Sequence, residues 1–211
     1  MATNAEAPDA IAFMLMKDIN GGTAIYFTDR DYSAAKQAFW DRKKDQPAVN
    51  EGVFRWTADR NLKAGAIITI QTDTAASPMA NIGQVLGAPS GIGKEETIFA
   101  MLNTKVNDLK DGSSGLITNP GLFLAAITVG GEKDNDIPAS ITAYSLKFLP
   151  NSVDSTNAIY NVNMCGLDRN NLAALKIKIM DKSCWSVSYK AQGASGFPIK
   201  DNSLFEHAIV Q

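Results

Sequence analysis

Asp18-Ile-Asn-Gly-Gly-Thr-Ala-Ile-Tyr-Phe-Thr-Asp29, residues 18–29, is the stretch that decides the fold class of this chain. Asn20, Gly21 and Gly22 accept the positive φ angles that a tight turn requires. The residues that follow, up to Thr28, are rich in β-branched and aromatic side chains, which favour a strand. The stretch therefore predicts a turn that opens into a β-strand.

The same alternation of strands and turns continues along the chain on both sides of this stretch. Strands are predicted at 9–17, 51–57, 64–72, 82–86, 96–102, 122–129, 140–149, 158–164 and 185–189. Apolar residues at helical spacing predict a helix over 32–44, and a second short helix is predicted over 170–176. Residues 103–120 read as an irregular insertion. Short strands at this spacing, with few helices, predict an all-β sandwich or barrel.

Length and composition favour one domain. The chain has 211 residues, of which 45% are hydrophobic, and this suits a single large β domain. We predict a core over about residues 9–190. The tail, residues 191–211, is less regular, and it is expected to dock through apolar side chains: Phe197, Leu204, Phe205, Ile209 and Val210.

Charge and hydropathy argue against a nucleic-acid partner and against a membrane-spanning segment. The net charge is −2, and the densest basic run, Arg42-Lys43-Lys44, is interpreted as a solvated helix end. Duplex-binding proteins usually carry a clustered basic face, so no nucleic-acid partner is predicted. The longest apolar run, 122–129, has strand length, and no transmembrane segment is predicted. The start lacks the features of a signal peptide, which leaves an intracellular protein or a mature form without its leader.

The sequence lacks the residue combinations that catalytic triads, zinc sites and phosphate-binding loops require. His207 is the single histidine and lies near the C-terminus, where a solvated tail residue is expected rather than a member of a catalytic triad. One histidine and two cysteines are too few for a typical zinc site. The segment 87–94 lacks the spacing of a phosphate-binding loop. We therefore predict a protein that is not an enzyme.

Two acidic groups remain as candidate sites. Asp29 and Asp31 sit at the end of the opening strand, and Glu132, Asp134 and Asp136 crowd one turn. The second group offers hard oxygen ligands to Ca²⁺, although it lacks the spacing of an EF-hand, and a solvated acidic turn is the alternative. No other cofactor is predicted. A pair of these carboxylates would also suit a glycosidase.

Aromatic side chains beside the first acidic group predict a ligand surface. Tyr32 and Trp40 follow Asp29 and Asp31, and aromatic side chains such as Trp40, which is expected to be exposed, are suited to lining a carbohydrate or peptide groove. The two tryptophans within predicted strands, Trp56 and Trp185, are instead expected in the core.

The two cysteines, Cys165 and Cys184, allow two interpretations. A structural disulfide is expected if the chain is exported. Two buried thiols that act as small hydrophobes are the alternative.

Several stretches, taken in order, resemble a β-sandwich domain family of exported bacterial proteins. Residues 13–29 are similar to its opening pattern F-x-x-L-x-D-I-x-x-G-T-x-I-x-F-T-D. Later stretches match in the same order: 52–58, 62–70, 96–101, 121–127, 137–138, 157–161 and 172–185. Residues 62–70 also resemble a strand entry of lamin-tail domains, which are Ig-like. The resemblance implies an Ig-like or jelly-roll type sandwich with one or two short helices.

The chain departs from the family pattern at two places. The family usually continues Thr-Asp-Asn-Gly-Trp where this chain has Thr28-Asp29-Arg30-Asp31-Tyr32, and residues 32–50 look inserted or diverged. What the resemblance implies is a surface or extracellular module, often found beside adhesive or sorting domains. An intracellular location is the alternative.

Three functions follow as expectations. The first is a non-catalytic structural or surface module that assembles with itself or attaches within an extracellular structure, because edge strands offer strand addition. The second is a calcium-assisted, lectin-like module that binds carbohydrate around residues 29–40 and 130–136. The third is a carboxylate-based hydrolase.

Overall fold

The computed structural model describes residues 2–4, 10–41, 43–49, 51–72, 79–88, 96–110, 115–129, 135–148 and 157–188. Its strands are β1 (Ala2–Asn4), β2 (Ala10–Met14), β3 (Ala24–Thr28), β4 (Tyr32–Ser33), β5 (Ala38–Asp41), β6 (Gln46–Pro47), β7 (Val53–Thr57), β8 (Ile67–Gln71), β9 (Met79–Ala80), β10 (Gln84–Ala88), β11 (Glu96–Leu102), β12 (Lys105–Asn107), β13 (Leu116–Asn119), β14 (Leu122–Val129), β15 (Ser145–Phe148), β16 (Asn157–Tyr160) and β17 (Trp185–Ser188). Its helices are α1 (Val162–Cys165) and α2 (Leu172–Met180), with 3₁₀ turns at Ala139–Tyr144 and Lys182–Cys184.

Two six-stranded sheets form the body of the molecule. The first sheet has the order β17-β16-β1-β2-β8-β9, and the second has the order β10-β7-β3-β11-β14-β15. Neighbouring strands are antiparallel, apart from β14 and β15, which run parallel. The predicted all-β class and the sandwich-like arrangement are confirmed.

Apolar side chains from both sheets share one core. Phe13 of β2 meets two rings of the second sheet, with ring centroids 5.1 Å from Phe27 and 5.4 Å from Trp56. Trp56 is fully buried, and its indole N–H donates to the carbonyl of Ile82 at 2.6 Å. Each large buried side chain stabilises the fold by about 1.5–3 kcal/mol relative to exposure. This contact between strands distant in sequence closes the sandwich.

The opening stretch adopts the predicted turn and strand. Gly22 has a φ of +84°, and the turn closes with a bond from Thr23 N–H to the Asn20 carbonyl at 3.1 Å. The strand β3 then lies between β7 and β11, with Ile25 and Phe27 directed into the core. The turn and the β-branched and aromatic residues that follow it therefore place this strand correctly.

The helix predicted over 32–44 is wrong. The segment forms β4, β5 and β6, a small three-stranded sheet, and Lys43 and Lys44 lie in a turn rather than at a helix end. Tyr32 and Phe39 face each other across β4 and β5, with ring centroids 5.6 Å apart. We name residues 32–41 and 43–48 the cap. Apolar residues spaced for one helix face also suit two short strands, and packing against the sheet below decides between these structures.

The cap covers the outer face of the second sheet. Its buried side chains pack on residues of β11 and β14 that point away from the main core. This second apolar cluster contains Tyr32, Phe39, Ala48, Phe99, Met101, Phe123, Ala126 and Ile141. The sheet β10-β7-β3-β11-β14-β15 is therefore apolar on both faces, as sheets buried on two sides are.

Other boundaries also differ from the prediction. The strand expected over 140–149 begins as a 3₁₀ turn and becomes extended only from Ser145. The strand expected over 158–164 ends at Tyr160, because the Asn161 side chain accepts a bond from Met164 N–H and starts α1. The insertion 103–120 contains the hairpin β12–β13. The predicted docking of residues 191–211 lies outside the described residues.

A disulfide joins the end of α1 to the segment before β17. The sulfur atoms of Cys165 and Cys184 are 2.07 Å apart. Between these cysteines, α2 is held by burial of Leu175 and Ile179, and the indole N–H of Trp185 donates to the Ile179 carbonyl at 2.8 Å. In the described part of the chain, no helix has the length and apolar character needed to span a bilayer.

Candidate functional site

The candidate site lies where the cap joins the second sheet. Thr28, the last residue of β3, pairs with Val53, the first residue of β7, so the chain enters and leaves the cap at neighbouring points. The Thr28 hydroxyl donates to the Gly52 carbonyl at 2.6 Å, which fixes this junction. We name residues 29–31 together with residues 51–52 the stem. It carries the two acids, Asp29 and Asp31, that the sequence proposed for ligand binding.

Arg30 is the central side chain of the stem, and it is fully buried. Its Nε donates to the Glu51 carbonyl at 2.9 Å, and its Nη2 donates to the Gly115 carbonyl at 2.9 Å. The Arg30 guanidinium therefore links the segment that leads into the cap with Glu51, which leads out of it, and with Gly115, which precedes β13. Burial lowers the pKa of Arg30, while the negative charges of Asp29 and Glu51 oppose that effect.

The side-chain carboxyl of Glu51, also in the stem, has a strongly raised pKa. Partial burial, followed by the charges of Asp29 and Asp31, raises the pKa of its carboxyl to about 7. The backbone N–H of Asp31 donates to this carboxyl, and Arg30 lies near it, and both lower its pKa by smaller amounts. The group therefore exchanges its proton near neutral pH, which an exposed glutamate does not do.

Tyr32 is placed inside the aromatic cluster beneath the cap. Its ring is buried and lies 5.0 Å from Phe123, edge to face. Burial, and then the charge of Asp136, raise the pKa of its phenol. Its backbone N–H donates to Asn135 Oδ1 at 2.8 Å. The residue thus contributes packing, and its ring is turned away from solvent.

Trp40 lies on β5 beside the stem and is partly exposed. Its backbone N–H donates to the Asp31 carbonyl at 2.8 Å, so the structure does bring these two predicted residues together. Its ring is already engaged, because the Lys36 ammonium lies 4.3 Å from the ring centroid and the indole N–H donates to Asp45 Oδ1 at 3.3 Å. A sugar ring stacking on this face would have to displace the lysine.

Of the three predicted calcium ligands, Asp136 alone lies within the described residues. Asp136 Oδ2 accepts a bond from Ala34 N–H at 2.8 Å, which ties the 135–136 segment to the cap. Glu132 and Asp134 lie outside the described residues. Among the residues that are described, no group of three or more His, Cys, Asp or Glu side chains is arranged to hold a metal ion.

The sequence reasoning missed Arg30 and Glu51. A signal for Arg30 was present, because a basic residue between Asp29 and Asp31 at the end of an apolar strand is a candidate buried ion pair. Glu51 gave no such signal, since its acidic neighbours lie about twenty positions earlier in the chain. Comparison with protein-family models, curated proteins and solved structures finds no significant match.

Proposed function

We propose that this protein is a non-catalytic structural module that associates with further copies of itself, edge to edge, in an extracellular or surface structure. The observation that carries the proposal is β10, an outer strand of the second sheet. It has five residues, Gln84-Val-Leu-Gly-Ala88, and none of them is charged or proline. Such an edge is a template for strand addition.

The inner side of β10 is firmly attached to the sandwich. It pairs with β7 along its whole length, from Gln84 opposite Thr57 to Ala88 opposite Val53. Val85 packs on the main core, whereas Leu86 lies on the opposite face and is partly exposed. The strand is therefore held extended and in register before any partner arrives, which lowers the entropy cost of pairing.

The opposite edge of the same sheet is different. Its outer strand, β15, carries Lys147, and charged side chains on edges oppose strand addition. Leu146 and Phe148 of β15 are buried in the core. An assembly by this sheet is accordingly expected to use β10 against a second β10, which gives a two-fold symmetric dimer.

An extracellular or surface location is supported by the cysteines. Disulfides form and persist mainly in oxidising compartments, and Cys165 and Cys184 lie at bonding distance. The similarity of residues 13–29 to exported bacterial domains points the same way. Membership of that family is part of the proposal.

A structural role is also supported by what the predicted ligand-binding groups already do. Tyr32 is packed beneath the cap, Trp40 is covered by Lys36, and Asp136 caps a backbone N–H. These contacts hold the protein together rather than presenting a ligand surface. They favour the structural role over the lectin-like one and over the hydrolase.

The test measures molar mass by light scattering after gel filtration, as the protein concentration rises. We expect the wild type to dimerise, and Leu86→Lys to remain monomeric because it places a charge on the edge. Ile177→Lys, on the exposed face of α2, is the matched control, and it should assemble as the wild type does. A wild type that is monomeric at every concentration overturns the proposal.

The same samples separate the alternatives. Each measurement is repeated with calcium, with a chelator and with a panel of immobilised glycans. Assembly that is indifferent to calcium and absence of glycan binding support the structural module. Calcium-dependent glycan binding by the monomer would instead favour the lectin-like function.

A further inference from the structure

The turn that precedes β3 contains a chemically labile pair of residues. Asn20-Gly21 is the only asparagine–glycine pair in the sequence, and asparagine is among the less durable residue types in proteins. Both residues are exposed. Because glycine has no Cβ atom, the backbone nitrogen of Gly21 can approach the Asn20 side chain without steric hindrance. The pair therefore has the composition and the exposure that deamidation requires.

Deamidation of such a pair is an intramolecular reaction that uses only water. The Gly21 backbone nitrogen attacks Cγ of Asn20 and forms a C–N bond, and the side-chain nitrogen leaves as ammonia with the proton that Gly21 gives up. Water then opens the resulting succinimide ring at either of its carbonyls. The products are aspartate, with the original backbone, and isoaspartate, whose backbone is longer by one methylene group. Both products carry a negative charge that asparagine lacks.

Asn61 holds the nitrogen that has to attack. The Gly21 N–H donates to Asn61 Oδ1 at 2.9 Å, across a sequence separation of 40 residues. The segment that carries Asn61 packs closely on the turn, since a Cβ atom at Gly21 would lie 3.2 Å from Arg60 Cα. The attack requires that the Gly21 N–H loses its proton, and a hydrogen bond donated by the neutral group opposes that loss. The Asn61 carboxamide is therefore placed to slow the reaction.

Other bonds hold the rest of the turn in place. Ile19 and Leu62 exchange two backbone bonds, with N–H to carbonyl distances of 2.9 Å and 3.0 Å. Gly22 N–H donates to the Ala58 carbonyl at 2.8 Å. Removal of the Asn61 carboxamide is therefore expected to release one backbone N–H while the turn stays folded.

We propose that Asn20 is a latent site of deamidation, and that Asn61 suppresses the reaction by holding the Gly21 N–H. Isoaspartate at this position would lengthen the backbone inside the turn that opens β3 and shift its pairing with residues 58–62. Aspartate would add a charge two positions from Asp18, whose carboxylate accepts from Lys63 Nζ at 2.7 Å. The inference is independent of assembly through β10.

Incubation of the folded protein in mildly alkaline buffer, followed by proteolysis and mass spectrometry of the peptides, tests the proposal. Deamidation at Asn20 is expected to be roughly fivefold faster in Asn61→Ala than in the wild type, as the loss of one hydrogen bond allows. Asn61→Asp keeps an oxygen acceptor and should remain at or below the wild-type rate. In Asn20→Gln the product should disappear, because glutamine closes a larger ring much more slowly.

Asn119→Ala is the matched control. Asn119 Oδ1 accepts from Gly121 N–H at 2.8 Å, which is the same kind of exposed bond in a different turn, and its loss should leave the rate at Asn20 unchanged. Asn170, another exposed asparagine, is the reference within each sample. Equal rates at Asn20 in the wild type and in Asn61→Ala overturn the proposal. An acceleration that is shared by Asn119→Ala or by Asn170, or that persists in Asn61→Asp, overturns it as well.

Discussion

At the residue scale, Arg30 shows how one side chain can organise a junction. It is fully buried, and its guanidinium donates to the backbone carbonyls of Glu51 and Gly115. A buried cation needs both hydrogen bonds and nearby negative charge to offset its lost hydration. Asp29, itself almost fully buried, and Glu51 supply that charge.

Substitution of Arg30 is therefore expected to be costly. Arg30→Met should lower the free energy of unfolding by about 3 kcal/mol, because it removes the donor to two buried carbonyls and the positive charge beside Asp29. Arg60→Met removes an exposed arginine that pairs with Asp59, and it should change stability by less than about 0.5 kcal/mol. Urea denaturation of both variants checks this. Equal stabilities would show that the buried guanidinium contributes nothing to the fold.

The pKa of Glu51 also predicts how stability depends on pH. Its carboxyl ionises near 4.5 in the unfolded chain and near 7 in the folded protein, so between these values the folded state holds the extra proton. The stability that Glu51 contributes is thus complete below about pH 4.5 and is lost as the pH rises through about 7.

Comparison with Glu51→Gln isolates this effect. The difference in unfolding free energy between the variant and the wild type should grow in favour of the variant from pH 5 to pH 8, by of the order of 1 kcal/mol, since partial exposure reduces the effect. The measurement is urea denaturation at a series of pH values. A constant difference across the series would contradict the assigned environment of Glu51.

At the scale of elements, the turn between β9 and β10 carries the chain from the first sheet to the second. Gly83 lies in this turn with a φ of +82°. A Cβ atom placed there would lie 2.5 Å from the Thr57 carbonyl oxygen and 2.6 Å from the Trp56 indole nitrogen. Close approach of the turn is what allows the indole N–H of Trp56 to reach the Ile82 carbonyl.

Gly83→Ala is accordingly expected to destabilise the protein more than an alanine at an open turn does. Gly22 has nearly the same φ, +84°, but a Cβ atom there meets nothing within 4 Å. Gly22→Ala should cost about 1 kcal/mol for backbone strain, and Gly83→Ala about 3 kcal/mol because steric overlap is added. Thermal denaturation of the two variants gives the comparison. Equal losses would mean that the turn does not pack against Trp56.

At the scale of the whole molecule, the fold is held by a core between two sheets, by the cap outside the second sheet and by one covalent link. The disulfide closes a segment with a sequence separation of 19 residues that contains α2. The helix has only nine residues, a length that is marginal in isolation. Its packing on the sandwich and the disulfide therefore act together.

Removal of this link tests its contribution. Cys165→Ser combined with Cys184→Ser should lower the free energy of unfolding by about 3 kcal/mol, as expected for a loop of this length. A reducing agent should produce a similar loss in the wild type and no further loss in the double variant. A wild type that is indifferent to reduction would show that the bond does not constrain the unfolded chain.

Sequence patterns local to each strand determined the class of this fold. β-Branched and aromatic composition located β3, an apolar run of strand length located β14, and the glycine turn before β3 set where that strand begins. The same local reasoning identified the acids of the stem, Asp29 and Asp31, as unusual. These features depend on residues within one turn or strand of each other.

Only the tertiary structure decided the rest. The cap became strands because Tyr32 and Phe39 pack on Phe99 and Phe123, which follow some sixty to ninety positions later in the chain. The burial of Arg30 and the proton affinity of Glu51 arise from the pairing of β3 with β7, which brings distant segments into contact. Periodicity records local backbone geometry, whereas burial and charge environment depend on neighbours that only folding brings together.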